Sequence, residues 1–161
     1  MTSDYLFPPQ PQAALAVVGE DKLFPVARIF CVGRNYVEHA KEMGNEVDRE
    51  APFYFLKPTV GMAHSGATVP YAPGTRDLHH EMELVVAIGK PAFRIGAEAA
   101  QSTVYGYACG LDMTRRDLQQ DSKDKRRPWD FGKAFENGAV LGPITPASSV
   151  PSLEGRRIAL K

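Results

Sequence analysis

The sequence predicts an α+β fold in which strands predominate and the helices are short. Glycine and proline occur 14 and 13 times in 161 residues, too often for a bundle of long helices. Between these interruptions lie short apolar runs rich in branched and aromatic residues, a pattern typical of strands. A single domain of this length can bury roughly two-thirds of the surface of its unfolded chain.

The order of the apolar runs defines the predicted elements. A proline-rich arm precedes a hairpin formed by residues 13–18 and 23–26. Strands are then predicted at 28–33, 52–57, 82–88, 104–111 and from 139, and short helices at 36–43 and 96–103. Residues 157–161 resemble the start of a strand without a partner, so we expect a domain that is incomplete at its C-terminus. The predicted division is an arm with a hairpin, 1–23, and one larger domain, 24–161.

Composition excludes several classes of partner. Lysine plus arginine and aspartate plus glutamate both number 19, and this balance does not favour binding to nucleic acid or to an anionic membrane. No apolar run is long enough to span a membrane, and the N-terminus lacks the pattern of a signal peptide. Cys31 and Cys109 lie in apolar runs, which predicts buried, reduced thiols in a cytoplasmic protein.

Three carboxylates are candidate metal ligands. Glu81 and Glu83 are two residues apart at the start of an apolar strand, so they project from the same face. Asp112 follows the apolar run 104–111. Like charges placed side by side repel unless a cation lies between them, and Mg2+ or Mn2+ prefers oxygen ligands. The alternative interpretation is a solvated strand end, paired with Arg76 or Lys90.

Two further groups could perform proton chemistry. On the predicted helix 36–43, His39 and Glu42 share one face, and a carboxylate beside an imidazole raises its basicity. An exposed helix with an incidental charge pair is the alternative. Lys133 lies between aromatic residues, which suits either a partly buried ammonium or a packed stem with its head in solvent.

Six segments occur in an order that is typical of a known family. They are Val32-Gly33-Arg34-Asn35-Tyr36, His39-Ala40-Lys41-Glu42-Met43-Gly44, Phe55-Leu56-Lys57-Pro58, His80-Glu81-Met82-Glu83-Leu84, Asp112-Met113-Thr114-Arg115-Arg116-Asp117-Leu118-Gln119 and Gly132-Lys133-Ala134-Phe135. Together they resemble the fumarylacetoacetate hydrolase family, and within it the bacterial hydrolases of fumarylpyruvate and other acylpyruvates. Family members continue with further strands and a G-T-P-x-G loop that this sequence lacks.

The resemblance implies a mixed β-roll, truncated at its C-terminus, which forms a cytoplasmic homodimer and binds one Mg2+ or Mn2+ per site. It also implies a role for each matching residue: metal ligands at Glu81, Glu83 and Asp112; a water-activating pair at His39 and Glu42; charge stabilisation at Lys133; and substrate binding at Arg34, Arg116 and Gln119. The implied reaction is hydrolysis of the carbon–carbon bond of an acylpyruvate, as in the degradation of aromatic compounds.

The resemblance is also compatible with other activities. The same scaffold would suit an oxaloacetate decarboxylase, or an isomerase or decarboxylase of a dienedioate. A different class of function is an inactive, truncated subunit that binds a metal or a partner.

Overall fold

The computed structural model describes residues 4–33 and 52–160. Within them lie nine strands: β1 (Ala14–Leu15), β2 (Phe24–Pro25), β3 (Ile29–Val32), β4 (Tyr54–Lys57), β5 (Met62–His64), β6 (Leu78–Ile88), β7 (Val104–Arg115), β8 (Ala139–Leu141) and β9 (Thr145–Pro146). The helices are short: α1 (Ala97–Ala100), α2 (Arg116–Asp124) and α3 (Asp130–Lys133), with 3-10 turns at Gln101–Thr103 and Ala147–Ser149. The dominance of strands confirms the predicted α+β class.

The main sheet has the order β5-β8-β7-β6, and β9 also pairs with β7. Strands β5 and β8 are parallel, whereas β6, β8 and β9 all run antiparallel to β7. The sheet is therefore mixed, as expected. Two antiparallel pairs lie outside it: β1 with β2, which is the predicted hairpin, and β3 with β4.

The hydrophobic core lies between the N-terminal hairpin and the main sheet. It consists of Leu15, Val17, Val26, Ala87, Ala108, Leu141 and Ile144. Backbone hydrogen bonds tie the hairpin to this core, because the N–H of Val18 donates to the carbonyl of Ile144 at 2.8 Å. Hairpin and sheet thus share one core, and the division at residues 23 and 24 stays a prediction.

Strands β6 and β7 are longer than predicted, because the charged residues beyond their apolar halves continue the same ladder. Glu81, Glu83 and Asp112 therefore lie within strands and not at strand ends. The apolar half of β6 is also less buried than predicted, since Leu84, Val86 and Ile88 form an exposed face. Strand β3 shows the same alternation: Phe30 and Val32 are exposed, whereas Ile29 and Cys31 are partly buried.

Two other predictions about individual segments are wrong. Residues 157–160 form no strand, and their backbone follows an irregular course. Cys109 is exposed on the outer face of β7, because the buried residues of that strand are the even-numbered ones. Cys31 is partly covered, and burial raises the pKa of its thiol to about 12. Across the described ranges, the helices are all too short to cross a membrane.

Candidate active site

Glu81 and Asp112 face each other across the ladder between β6 and β7. Directly opposed residues of an antiparallel pair project from the same face, here the face that continues into the core. Glu83 points the same way but lies opposite Gly110. A Cβ atom at Gly110 would come within 2.8 Å of the side chains of Leu141 and Val85, so a larger residue here would have to displace them.

The ammonium of Lys133 lies between these two carboxylates. Its Nζ is 2.8 Å from Oε2 of Glu81 and 2.8 Å from Oδ2 of Asp112, and it donates to the hydroxyl of Thr114 at 2.6 Å. The ring of Phe55 covers the ammonium, with its centre 4.9 Å away. Sequence patterns left the burial of Lys133 open, and the structure places its side chain in the interior.

Helix α3 brings Lys133 to this position because it packs tightly on α2. A Cβ atom at Gly132 would lie within 2.9 Å of the backbone nitrogen and Cα of Gln119. The glycine thus permits the close approach of the two helices. The N–H of Lys133 also donates to the carbonyl of Trp129 at 2.9 Å, which closes the turn that precedes the ammonium.

Lys57 provides a second ammonium at Asp112. Its Nζ is 2.8 Å from Oδ1 of Asp112, and it donates to the carbonyls of Met113 at 3.0 Å and of Lys133 at 2.6 Å. Burial lowers the pKa of Lys57 below its usual value, and the charge of Asp112 opposes this effect. Each oxygen of Asp112 therefore faces a different lysine.

Arg116 holds the other carboxylate. It begins α2, and its Nη2 donates to Oε1 of Glu81 while its Nη1 donates to Oε1 of Gln119 at 2.6 Å. The backbone fixes this arrangement, since the N–H of Arg116 donates to the carbonyl of Asp77 at 2.7 Å. Glu81 thus pairs with Arg116 and Lys133, and not with Arg76 or Lys90 as in the alternative interpretation of a solvated strand end.

The electrostatics of Glu81 follow from these contacts. Burial raises the pKa of its carboxyl, but the charge of Lys133 and hydrogen bonds from Lys133 and Arg116 outweigh that effect. The net result is a pKa of about 2, against an ordinary value of 4.5. Glu81 therefore remains a carboxylate across the physiological range of pH.

The three predicted metal ligands are only partly assembled. Glu81 and Asp112 both contact the ammonium of Lys133, whereas Glu83 does not take part in this contact. Within residues 4–33 and 52–160, no group of three His, Cys, Asp or Glu side chains has an arrangement that could hold a metal ion. The donor chemistry still fits a hard divalent cation, because all three side chains offer carboxylate oxygens on one sheet face. Glu81, Glu83 and Asp112 are the residues that would hold such an ion.

Three predicted site residues, Arg34, His39 and Glu42, lie outside the described residues. Two other residues of the site were not predicted, Lys57 and Thr114. Lys57 projects from the same face of β4 as Phe55 and is in phase with Phe53, which precedes the strand; a lysine in phase with two aromatic residues is a usable signal of burial. Thr114 is in phase with Asp112 on β7, the same kind of signal.

Comparison with known proteins places this site in context. The family model described as fumarylacetoacetate (FAA) hydrolase C-terminal matches residues 28–161. The chain belongs to the fumarylacetoacetate hydrolase family. The ordered motifs around Glu81, Asp112 and Lys133 had indicated this membership, and it is confirmed.

Individual relatives in this family differ in their named activities. The chain is 52% identical over 115 residues to a fumarylpyruvate hydrolase of Ralstonia sp, covering 70% of this chain and 60% of the relative. It is 42% identical over 133 residues to the mitochondrial oxaloacetate tautomerase of Mus musculus, covering 83% and 60%. The crystal structure of fumarylpyruvate hydrolase from Pseudomonas aeruginosa in complex with Mn2+ and pyruvate is similar, with a TM-score of 0.85 and 47% identity. That match covers 92% of this chain and 65% of the solved one. The chain thus spans about 60% of the length of these curated relatives.

Proposed function

We propose that this chain carries the metal and substrate site of a divalent-metal-dependent hydrolase that cleaves the carbon–carbon bond of an acylpyruvate. Fumarylpyruvate is the proposed substrate, and fumarate and pyruvate are the products. The observation that carries the proposal is the ammonium of Lys133 beside two opposed carboxylates, Glu81 and Asp112. The named activity of the Ralstonia relative and the Mn2+ and pyruvate in the Pseudomonas structure support the same assignment.

The proposed reaction divides its tasks among the residues. The His39–Glu42 pair is the proposed base that takes a proton from water as the water attacks the distal carbonyl carbon. The ammonium of Lys133 stabilises the negative charge that develops on oxygen. The carbon–carbon bond then breaks, the acyl group leaves as a carboxylic acid, and the pyruvate enolate takes up a proton. A divalent cation held by Glu81, Glu83 and Asp112 would supply Lewis-acid stabilisation of that enolate.

Arg116 is the proposed contact for the pyruvate carboxylate. Its Nε is buried and has no hydrogen-bond partner among the described residues. Gln119 orients the guanidinium through a hydrogen bond of 2.6 Å. A planar guanidinium with an N–H group that has no other acceptor can bind a carboxylate through directed hydrogen bonds. Arg34 is a further proposed substrate contact, by resemblance.

Oxaloacetate tautomerisation is the second candidate, because the Mus musculus relative carries that name at 42% identity. The decarboxylase and isomerase alternatives share the same scaffold. Replacement of His39 with alanine separates hydrolysis from decarboxylation. Hydrolysis should be lost, since it needs an activated water, whereas decarboxylation through the enolate should persist.

The first test is turnover of fumarylpyruvate, followed by loss of its enol absorbance with Mg2+ or Mn2+ and then with excess EDTA. We expect metal-dependent release of pyruvate and fumarate. Asp112→Asn should reduce this activity strongly, because it weakens a ligand and the partner of two lysines. Asp121→Asn, on the exposed part of α2, is the control and should change little. No turnover by folded protein that binds Mn2+ would contradict the proposal and favour the inactive subunit.

We also propose that the functional form is a homodimer. Leu84, Val86 and Ile88 leave an apolar face on the edge strand β6, with 40%, 45% and 55% of each residue exposed. A contiguous apolar sheet face is typical of a surface that another protein covers. Light scattering should show twice the chain mass, and replacement of Val86 with lysine should shift it towards the monomer. A wild-type monomer would exclude this state. The cytoplasmic location expected from the sequence stays a prediction.

A further inference from the structure

A cavity of about 510 Å³ opens next to Lys133. Aromatic rings form much of its wall. The ring of Trp129 lies 5.2 Å from that of Phe53, edge to face, and 5.7 Å from that of Phe55. Lys133 is a buried residue of the cavity lining, and Arg127 is an exposed one. The cavity is thus an aromatic slot with a buried lysine and an exposed arginine in its wall.

The backbone holds Arg127 at this position. Helix α2 ends at Asp124, and Arg126, two residues later, lies in the left-handed region at a φ of 52°. The N–H of Arg126 donates to the carbonyl of Lys123 at 3.0 Å, and the N–H of Arg127 donates to that of Ser122 at 2.8 Å. These two bonds form a Schellman motif, which fixes the chain where it leaves a helix. Pro128 follows and restricts Arg127 to an extended conformation.

The guanidinium of Arg127 is available for a ligand. Among the described residues it forms no ion pair, and Asp130, which lines the same cavity, does not pair with it. The ammonium of Lys123 lies 5.2 Å from the ring centre of Trp129, so a second positive charge is in contact with a ring of the cavity wall. A flat, unsaturated chain with a negative charge at its far end would match the rings and Arg127 together.

We propose that Arg127 binds the distal carboxylate of the acyl group and so selects dicarboxylic acylpyruvates over those with a neutral acyl chain. This inference rests on the proposed function, since it takes Lys133 as the residue at the reacting end. It adds a specificity residue that contacts only the part of the substrate remote from the bond that breaks. Arg127 then favours a substrate such as fumarylpyruvate over acetylpyruvate, which has no distal carboxylate.

Two measurements with matched variants test this role. Arg127→Gln removes the charge in the cavity, and Arg126→Gln removes a neighbouring charge that does not line it. Trp129, the only tryptophan, lies in the cavity wall, so its fluorescence reports on fumarate binding. We expect Arg127→Gln to weaken fumarate binding on the order of 10- to 100-fold, as for loss of a charge-assisted hydrogen bond, and Arg126→Gln to leave it unchanged. The ratio of kcat/KM for fumarylpyruvate to that for acetylpyruvate should fall by a similar factor in Arg127→Gln, mainly through KM.

The outcomes separate this inference from the proposed function. Binding of fumarate that depends on Arg127, without turnover of either substrate, would overturn the hydrolase and leave the carboxylate contact standing. Turnover of both substrates with an unchanged ratio in Arg127→Gln would overturn the contact alone. Equal weakening by Arg126→Gln and Arg127→Gln would show a general effect of charge, and failure of folded wild-type protein to bind fumarate would also overturn the contact.

Discussion

Replacement of Lys133 with methionine is expected to lower both the stability and the turnover of the protein strongly. Loss of the ammonium removes a partner from both carboxylates, although Glu81 keeps Arg116 and Asp112 keeps Lys57. Breaking a buried ion pair by removal of one partner costs about 3–5 kcal/mol of unfolding free energy, and the remaining partners place the effect near the lower value. Urea denaturation measures this change. Turnover should fall by about 10²–10³-fold, as for loss of one group that stabilises an oxyanion.

Two further variants are needed to interpret this experiment. Lys125→Met is the matched control, because Lys125 forms an exposed pair with Asp121 that is worth about 0.3–0.5 kcal/mol. In the double variant Lys133→Met with Glu81→Gln, the loss of stability should be smaller than the sum of the two single losses, because both substitutions remove the same ion pair, and activity should not return. An active Lys133→Met protein would remove Lys133 from the proposed reaction, whatever its stability.

Part of this site was predictable, because side chains alternate between the two faces of a strand. Glu81 and Glu83 share a face because any two residues i and i+2 on a strand do. Asp112 could be placed near them because its apolar run had to be a neighbouring strand. The register that sets Asp112 opposite Glu81 was not predictable, because it depends on pairing over the whole length of β6 and β7.

The partners of these carboxylates could not be predicted from local sequence. Lys57, Arg116 and Lys133 come from a strand and two helices that are distant from Glu81 in the chain. Arg76 was the nearer candidate, but its backbone N–H donates to Asp117 at 2.9 Å, which ties that loop to α2. The exposed faces of β3 and β6 were missed for a similar reason. A continuous apolar run indicates a strand but does not state whether both faces are covered.

The acid stability of the chain should depend on Glu81. Its pKa in the folded protein is about 2, below the ordinary value of 4.5 that the unfolded chain would have. The unfolded state therefore binds a proton first as the pH falls, and the contribution of Glu81 is complete above pH 4.5 and lost progressively towards pH 2. A difference of this size corresponds to about 3 kcal/mol, at about 1.4 kcal/mol per pH unit.

Glu81→Gln should remove this dependence, because an amide does not titrate. The measurement is urea unfolding between pH 2 and pH 7. The wild type should lose stability more steeply than the variant below pH 4.5, so that their free energies of unfolding converge near pH 2. Glu154→Gln, at an exposed position, should follow the wild-type curve. Parallel curves for wild type and Glu81→Gln would show that Lys133 and Arg116 do not hold Glu81 as a carboxylate. The ammonium would then not be fixed between two negative charges, and the arrangement on which the proposed hydrolase depends would be lost as well.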